Sequence, residues 1–226
     1  MNLLECIAPN IWAATTSHSF LGLHVGSRMT VIRLSSGSVL LHSPVPMSPA
    51  LRAAIKAIGP VKHIVCPNLF HHMYAAQAVT AFPGAKLHGP AKLHKKRPDL
   101  RFDAVLSETA SSDWQGDLVL VTIDGSLLNE TVFYHHPTRT LIACDLVENF
   151  KTHPHWITRT YLKLNGVLGT ISWPRLLRTV YFNRKLARAS IDRILALPFE
   201  RVVIAHGDVI TDNAHEVVTN GLKWLR

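Results

Sequence analysis

The chain has 226 residues, 47% of them hydrophobic and 17% charged. That is enough to bury a sizeable core, and the balance excludes a disordered chain. No run approaches the ~20 apolar residues a membrane-spanning helix needs. The segment Met1–Glu5 has no basic start and no long apolar block, which gives a cytoplasmic protein as the expectation. Formal net charge is +9. Nearly all the surplus sits between Lys151 and Arg193, where nine bases face one acid, Asp192. A second basic knot is Lys92, Lys95, Lys96, Arg97 and Arg101. Three cysteines, Cys6, Cys66 and Cys144, make no disulfide framework, and Cys66 and Cys144 lie in apolar runs as packing residues.

The elements follow in chain order. Ile11 to Thr15, Met29 to Leu34 and Ser38 to His42 read as strands, the last two joined across Ser35-Ser36-Gly37. Ser48 and Pro49 suit the N-cap and first position of a helix that Gly59-Pro60 ends. Val61 to Cys66 is a strand, Met73 to Phe82 a helix and Lys86 to His88 a further strand. Leu118 to Ile123, Glu130 to Tyr134 and Thr140 to Cys144 continue in strand style. From Pro174 to Leu197 the pattern is helical, Val202 to Ala205 is a short strand, and Asn213-Ala-His-Glu216 resembles a capping box opening the last helix. No Gly/Ser or Pro-rich linker divides the chain. The expectation is an α/β protein forming one domain over 1–226, with a basic, partly helical insertion at about 151–190.

Three of these strands stop at residues able to bind a divalent ion. His71-His72 follow the strand ending at Cys66, Asp145 follows Cys144, and His206-Gly207-Asp208 follow Ala205. Strand ends in layered α/β proteins are rigid mounts for sites. Imidazole and carboxylate are ligands that zinc, iron and manganese accept. His135-His136 are expected at the opposite end of their strand from Asp145. Asn68 is a candidate donor to a bound oxyanion, and Asp208 a candidate to orient His206.

In this order the pieces resemble the metallo-β-lactamase fold superfamily, over about Ile11 to Trp224. They are similar in particular to an uncharacterised branch in which Pro67-Asn68-Leu-Phe-His71-His72 and Arg139-Thr140-Leu-Ile-Ala-Cys-Asp145-Leu146 have counterparts. The resemblance implies a four-layer αββα sandwich of two mixed β-sheets flanked by helices. The superfamily loop reads His-x-His-x-Asp-His. With its last His on His72, the Asp falls on His71, and the first two His fall on Pro67 and Leu69. A further family His should fall near Gly125-Ser126, where none stands. All these losses strike one metal position of a two-metal site. The other keeps His72, His71, Asp145 and His206, with His72 preferred to His71 as the ligand.

The resemblance therefore implies a reduced, mononuclear site holding one divalent ion: zinc first, then iron or manganese. With a coordination position left for water, such an ion lowers the water's pKa toward ~7. Hydrolysis of a small ester, thioester or amide follows, with His71 or Asp145 assisting proton transfer. Two alternatives stand beside it. One is a mononuclear iron redox enzyme. The other is a degenerate, metal-free protein binding an anionic partner, nucleic acid or a membrane surface through 151–193, where Trp156, Tyr161, Trp173 and Tyr181 interleave with the bases. The apolar and aromatic 156–183 stretch is also a candidate homodimer surface, and the basic segment a candidate pocket rim favouring an anionic substrate.

Overall fold

The computed structural model describes residues 3–108 and 113–225. Met1 and Asn2 of the N-terminal segment, and Arg226 at the end of the expected domain, lie outside the described residues. The order of elements is β1 (Glu5–Ala8), β2 (Ile11–Thr16), β3 (Ser19–Phe20), β4 (Leu23–His24), β5 (Ser27–Arg33), β6 (Val39–His42), α1 (Pro49–Ile58), β7 (Val61–Val65), α2 (Ala75–Ala81), β8 (Lys86–Gly89), α3 (Ala91–Lys96) and β9 (Ala104–Val105). There follow β10 (Leu118–Thr122), β11 (Thr131–His135), β12 (Thr140–Ile142), α4 (Trp156–Leu164), α5 (Arg184–Leu195), β13 (Arg201–Val203) and α6 (Ala214–Gly221). Short 3-10 turns cover His136–Thr138 and Arg175–Val180.

One sheet has the order β1-β2-β5-β6-β7-β8-β9 and a second β10-β11-β12-β13, while β3 and β4 form a small separate hairpin. Both large sheets are mixed. The β6-β7, β7-β8, β8-β9 and β12-β13 pairs are parallel, and the rest are antiparallel.

Strand residues alternate between faces, and the apolar clusters follow that alternation. Ile11, Ile32, Leu40 and Val65 of the first sheet pack on Leu120, Phe133, Ile142 and Val203 of the second. Their neighbours Val31, Leu41 and Ile64 face the other way, onto Leu51 and Ile55 of α1, Ala75 and Ala78 of α2 and Leu93 of α3. On the far side, Val132, Tyr134, Leu141 and Val202 meet Ile191 and Ile194 of α5 and Val218 of α6. The result is the expected helix–sheet–sheet–helix sandwich. Among the described residues no helix is long and apolar enough to cross a membrane.

Local capping signals hold in one helix and fail in another. Ser48 Oγ accepts from Leu51 N–H at 3.1 Å, and Pro49 opens α1, as expected. The capping box at Asn213 does not form: Asn213 is left-handed (φ 48°) and its side chain makes no cap bond. The continuous helical reading of Pro174 to Leu197 is also corrected. A 3-10 turn ends at Val180 and α5 begins at Arg184, with the Asn183 side chain capping Leu186 N–H. α4 supplies a helix in the basic segment whose bounds the sequence pattern does not delimit.

Candidate metal centre

Three loops bring the ionisable groups together between the sheet ends. The loop after β7 is shaped by Asn68, whose Oδ1 accepts from Phe70 N–H and His71 N–H, both at 2.8 Å. This is an Asx turn. The loop after β12 is set by Glu130, just before β11. Its carboxylate accepts from Cys144 N–H at 2.6 Å and from Asp145 N–H at 3.0 Å. The loop after β13 turns at Gly207 (φ 89°), where a Cβ would stand 2.0 Å from Asn149 O. Asp208 N–H donates to that oxygen at 2.7 Å, so only glycine permits so close an approach. Arg28 guanidinium N–H groups bind the carbonyls of Ile204 and Gly207 and hold the same turn from β5.

His71, Asp145 and His206 meet here. His71 Nε2 stands 3.5 Å from Asp145 Oδ2, and His206 Nε2 stands 3.4 Å from Asp145 Oδ1. One donor atom from each residue lies within 4.8 Å of the others, and among the described residues no other group of three or more His, Cys, Asp or Glu donors does this. The outer nitrogens are occupied. His206 Nδ1 is 2.9 Å from Gly26 O, and His71 Nδ1 is 2.8 Å from Ser43 Oγ. Ser43 is held at φ 58°, a left-handed conformation that costs energy for a non-glycine residue.

The donor set fits a metal ion. A carbonyl can only accept, so His206 Nδ1 carries the proton. Its Nε2 lone pair then faces a carboxylate oxygen unless a proton or a cation lies between them. The two close separations run to different oxygens of Asp145, 3.4 Å from His206 to Oδ1 and 3.5 Å from His71 to Oδ2, and one donor from each residue lies within 4.8 Å of the others. Two imidazoles and a carboxylate are a set that a divalent ion accepts. Burial opposes charge on His206, yet Asp145 outweighs it and raises the His206 pKa. Burial likewise works to raise Asp145, but the imidazoles of His71 and His206 hold its carboxyl well below the usual range. Burial, and then the charge of Asp145, push Glu130 up. Burial pushes Glu148, beside His206 and Asp145, up to about 7. Glu148 Oε2 is buried with no hydrogen-bond partner.

A family model described as a domain of unknown function, DUF4336, matches residues 9–93. A search of curated proteins found no match. Solved structures resemble nearly the whole chain. A metallo-β-lactamase from Pontibacter korlensis is 16% identical, with a TM-score of 0.68 over 98% of this chain and 97% of that one. The metallo-β-lactamase FIM-1 from Pseudomonas aeruginosa, in its mono-zinc form, is 13% identical, with a TM-score of 0.64 over 96% and 92%. A metal-soaked Flv1 flavodiiron core from Synechocystis is 13% identical, with a TM-score of 0.66 over 98% of this chain and 60% of that one. The chain has the metallo-β-lactamase fold.

Several expectations change once the residues are placed within this fold. His72, preferred as a ligand, is outside the cluster. Arg97 Nη1 donates to its Nδ1 at 2.9 Å, and burial, then Lys96 and Arg97, lower its pKa to about 4. The imidazole at the centre is therefore His71, which stands where the superfamily loop has Asp. The basic knot on α3 pins this loop: Lys96 Nζ donates to Leu69 O at 2.6 Å and lies 5.0 Å from the centre of the Phe70 ring. Asn68 is not free to serve an oxyanion, because its Nδ2 donates to Asp145 Oδ2 at 2.7 Å. The group that orients His206 is the Gly26 carbonyl rather than the Asp208 carboxylate. Burial raises the Cys144 thiol far above its ordinary range, as expected of a packing residue. Glu130 and Glu148 are two site residues that sequence reasoning missed. A carboxylate opening the otherwise apolar Glu130–Tyr134 run was the available signal for the first.

Above the cluster lies a cavity of about 300 Å³. Its walls come from the β3–β4 hairpin, the loop after β7, and the stretch from α4 to Val180. The basic segment reaches this cavity through Tyr161, Trp173, Leu176, Leu177 and Val180, and no Lys or Arg lines it.

Proposed function

We propose that the protein is a metal-dependent hydrolase of a small ester, thioester or amide. The observation that carries this is the meeting of His71, Asp145 and His206 on the floor of a largely apolar cavity. In the proposal these three residues hold one divalent ion, zinc by the donor set. When bound, that ion supplies a Lewis acid and acidifies a water molecule.

The chain's own residues do the remaining work. Asp145 stays ionised at neutral pH and anchors both imidazoles, while Asn68 fixes its Oδ2. The Gly26 carbonyl keeps the His206 proton on Nδ1, so Nε2 presents its lone pair inward. The Ser43 hydroxyl, 2.8 Å from His71 Nδ1, fixes the His71 ring so that Nε2 faces the ion; in the proposal proton transfer is assisted by Asp145. The apolar walls exclude bulk water and so strengthen every charge interaction on the floor. The absence of basic side chains in the cavity favours a neutral substrate over an anionic one.

The test is elemental analysis of protein purified without chelator or nickel resin, paired with a panel of ester, thioester and amide substrates. About one equivalent of zinc, lost together with hydrolysis in His206→Ala, is the expected result. Less than a tenth of an equivalent of any transition metal, with none taken up on addition, would sink the proposal. Iron as the dominant metal, with oxygen consumption, would replace it by redox chemistry.

A further inference from the structure

We infer that the cavity over the trio is the seat of an unbranched acyl chain, so that the substrate is an acyl ester or thioester of medium length. The reaction half of this statement rests on the hydrolase proposal, whereas the binding half does not. Three observations lead to it.

Three ionisable groups of the cavity are gathered together, while Ser27, Tyr74 and Tyr161 add hydroxyls to the lining. His71, Asp145 and His206 are mutual neighbours. Glu148 stands close enough to His206 and Asp145 to feel their charge, and His18 close enough to His206 and His71. The rest of the lining is mostly apolar, with Leu23, Val25, Leu128, Trp173, Leu177 and Val180 forming the wall. One polar end and one apolar body describe the shape of a carbonyl head with a hydrocarbon tail.

The apolar wall also extends outward. Phe20, Leu21, Phe70, Met73 and Leu176 line the same cavity while remaining exposed, Leu21 by 88% and Leu176 by 65%. They are five of the fourteen large exposed hydrophobic residues among the described residues and come from three separate segments. A soluble protein does not gather such side chains around one opening without a ligand to cover them. Among the described residues no Lys or Arg stands in the lining.

The size is that of a tail rather than a methyl group: a cavity of about 300 Å³ takes several methylenes, and its open side lets a longer chain run out over the exposed rim.

The decisive experiment titrates the full-length protein with a series of 2-alkanones from four to fourteen carbons, which carry the carbonyl and tail but cannot be hydrolysed. Binding is read by calorimetry. Affinity should rise about fourfold per methylene, the gain expected from burying one CH₂, and level off within the series once the tail outgrows the apolar wall. Phe20→Asp and Leu176→Asp, both at exposed positions, should each weaken the long ketones at least tenfold and leave four-carbon binding nearly unchanged. Affinity independent of chain length, or a rise without a plateau that both variants leave intact, would overturn the inference. Oxygen esters and thioesters of the best-fitting chain then separate the two sources of the acyl group. A chain-length plateau without turnover of either would remove the hydrolase proposal and keep this one. Turnover of short esters with no chain-length dependence would do the opposite.

Discussion

Glu148 is a carboxyl whose replacement should stabilise the protein in one pH range only. Its side chain is 6% exposed, its Oε2 has no partner, and burial raises its pKa from an ordinary 4.5 to about 7. Moving a pKa by one corresponds to ~1.4 kcal/mol, so the effect on Glu148 is worth about 3 kcal/mol. Its sign follows from proton binding. Between pH 4.5 and about 7 the folded chain holds the Glu148 proton and the unfolded chain does not. Stability from this group is therefore complete below 4.5, falls as pH rises through about 7, and is level beyond. Glu148→Gln keeps the shape and removes the ionisation. Backbone pairing with Ser172 is untouched, because Glu148 N–H and C=O carry it. With chelator present to keep ions away from the trio, the variant should match the parent at pH 4.5 and exceed it by about 3 kcal/mol at pH 8. For a chain this long that is a rise of roughly 6–12 °C in Tm. Urea unfolding at the two pH values measures it. The same difference at both pH values, or a loss at pH 8, would refute the assignment of Glu148 as a buried carboxyl without compensation.

Three further outcomes are expected. Gly207→Ala, which meets Asn149 O and a left-handed backbone, should cost at least ~3 kcal/mol by urea unfolding and lower zinc uptake with it. His71→Ala should abolish zinc uptake measured by dialysis and elemental analysis, whereas His72→Ala should retain it, since His72 serves Arg97. Glu130→Gln keeps one acceptor oxygen for Cys144 N–H but sets an amide N–H where Oε2 accepts from Asp145 N–H. It should destabilise the protein by ~1–3 kcal/mol and displace Asp145 enough to weaken zinc binding, read in the same assay.

The strand frame was legible because alternation of apolar residues at period two reports which faces are buried, and Ile32, Leu40 and Phe133 lie where that rule puts them. The gathering of Asp145 and His206 was likewise suggested by their places after apolar strands. The choice between His71 and His72 was not. Adjacent residues on a turn point in different directions, and the direction is set by the Asn68 side chain holding Phe70 N–H and His71 N–H. Pro67-Asn68 hinted at such a turn without fixing which imidazole it would face inward. The cavity wall was illegible for a different reason. Phe20 and Leu21 stand some 150 residues from Leu176 along the chain, and no local pattern connects them. The interleaved bases of 151–193 concealed that this segment turns its aromatic and aliphatic side chains toward the cavity.

The β3–β4 hairpin has no backbone ladder to either large sheet. It is tied instead to the basic segment, through His24 N–H to Thr158 Oγ1 at 3.0 Å and His153 Nε2 to His24 O at 2.7 Å. The floor of the cavity hangs from strand ends, while part of its roof is carried by this separate flap and its helical partner. On the proposed roles, a change confined to the tip of the hairpin, residues 19–24, should alter which tails fit while leaving in place the strand-end loops that carry His71, Asp145 and His206.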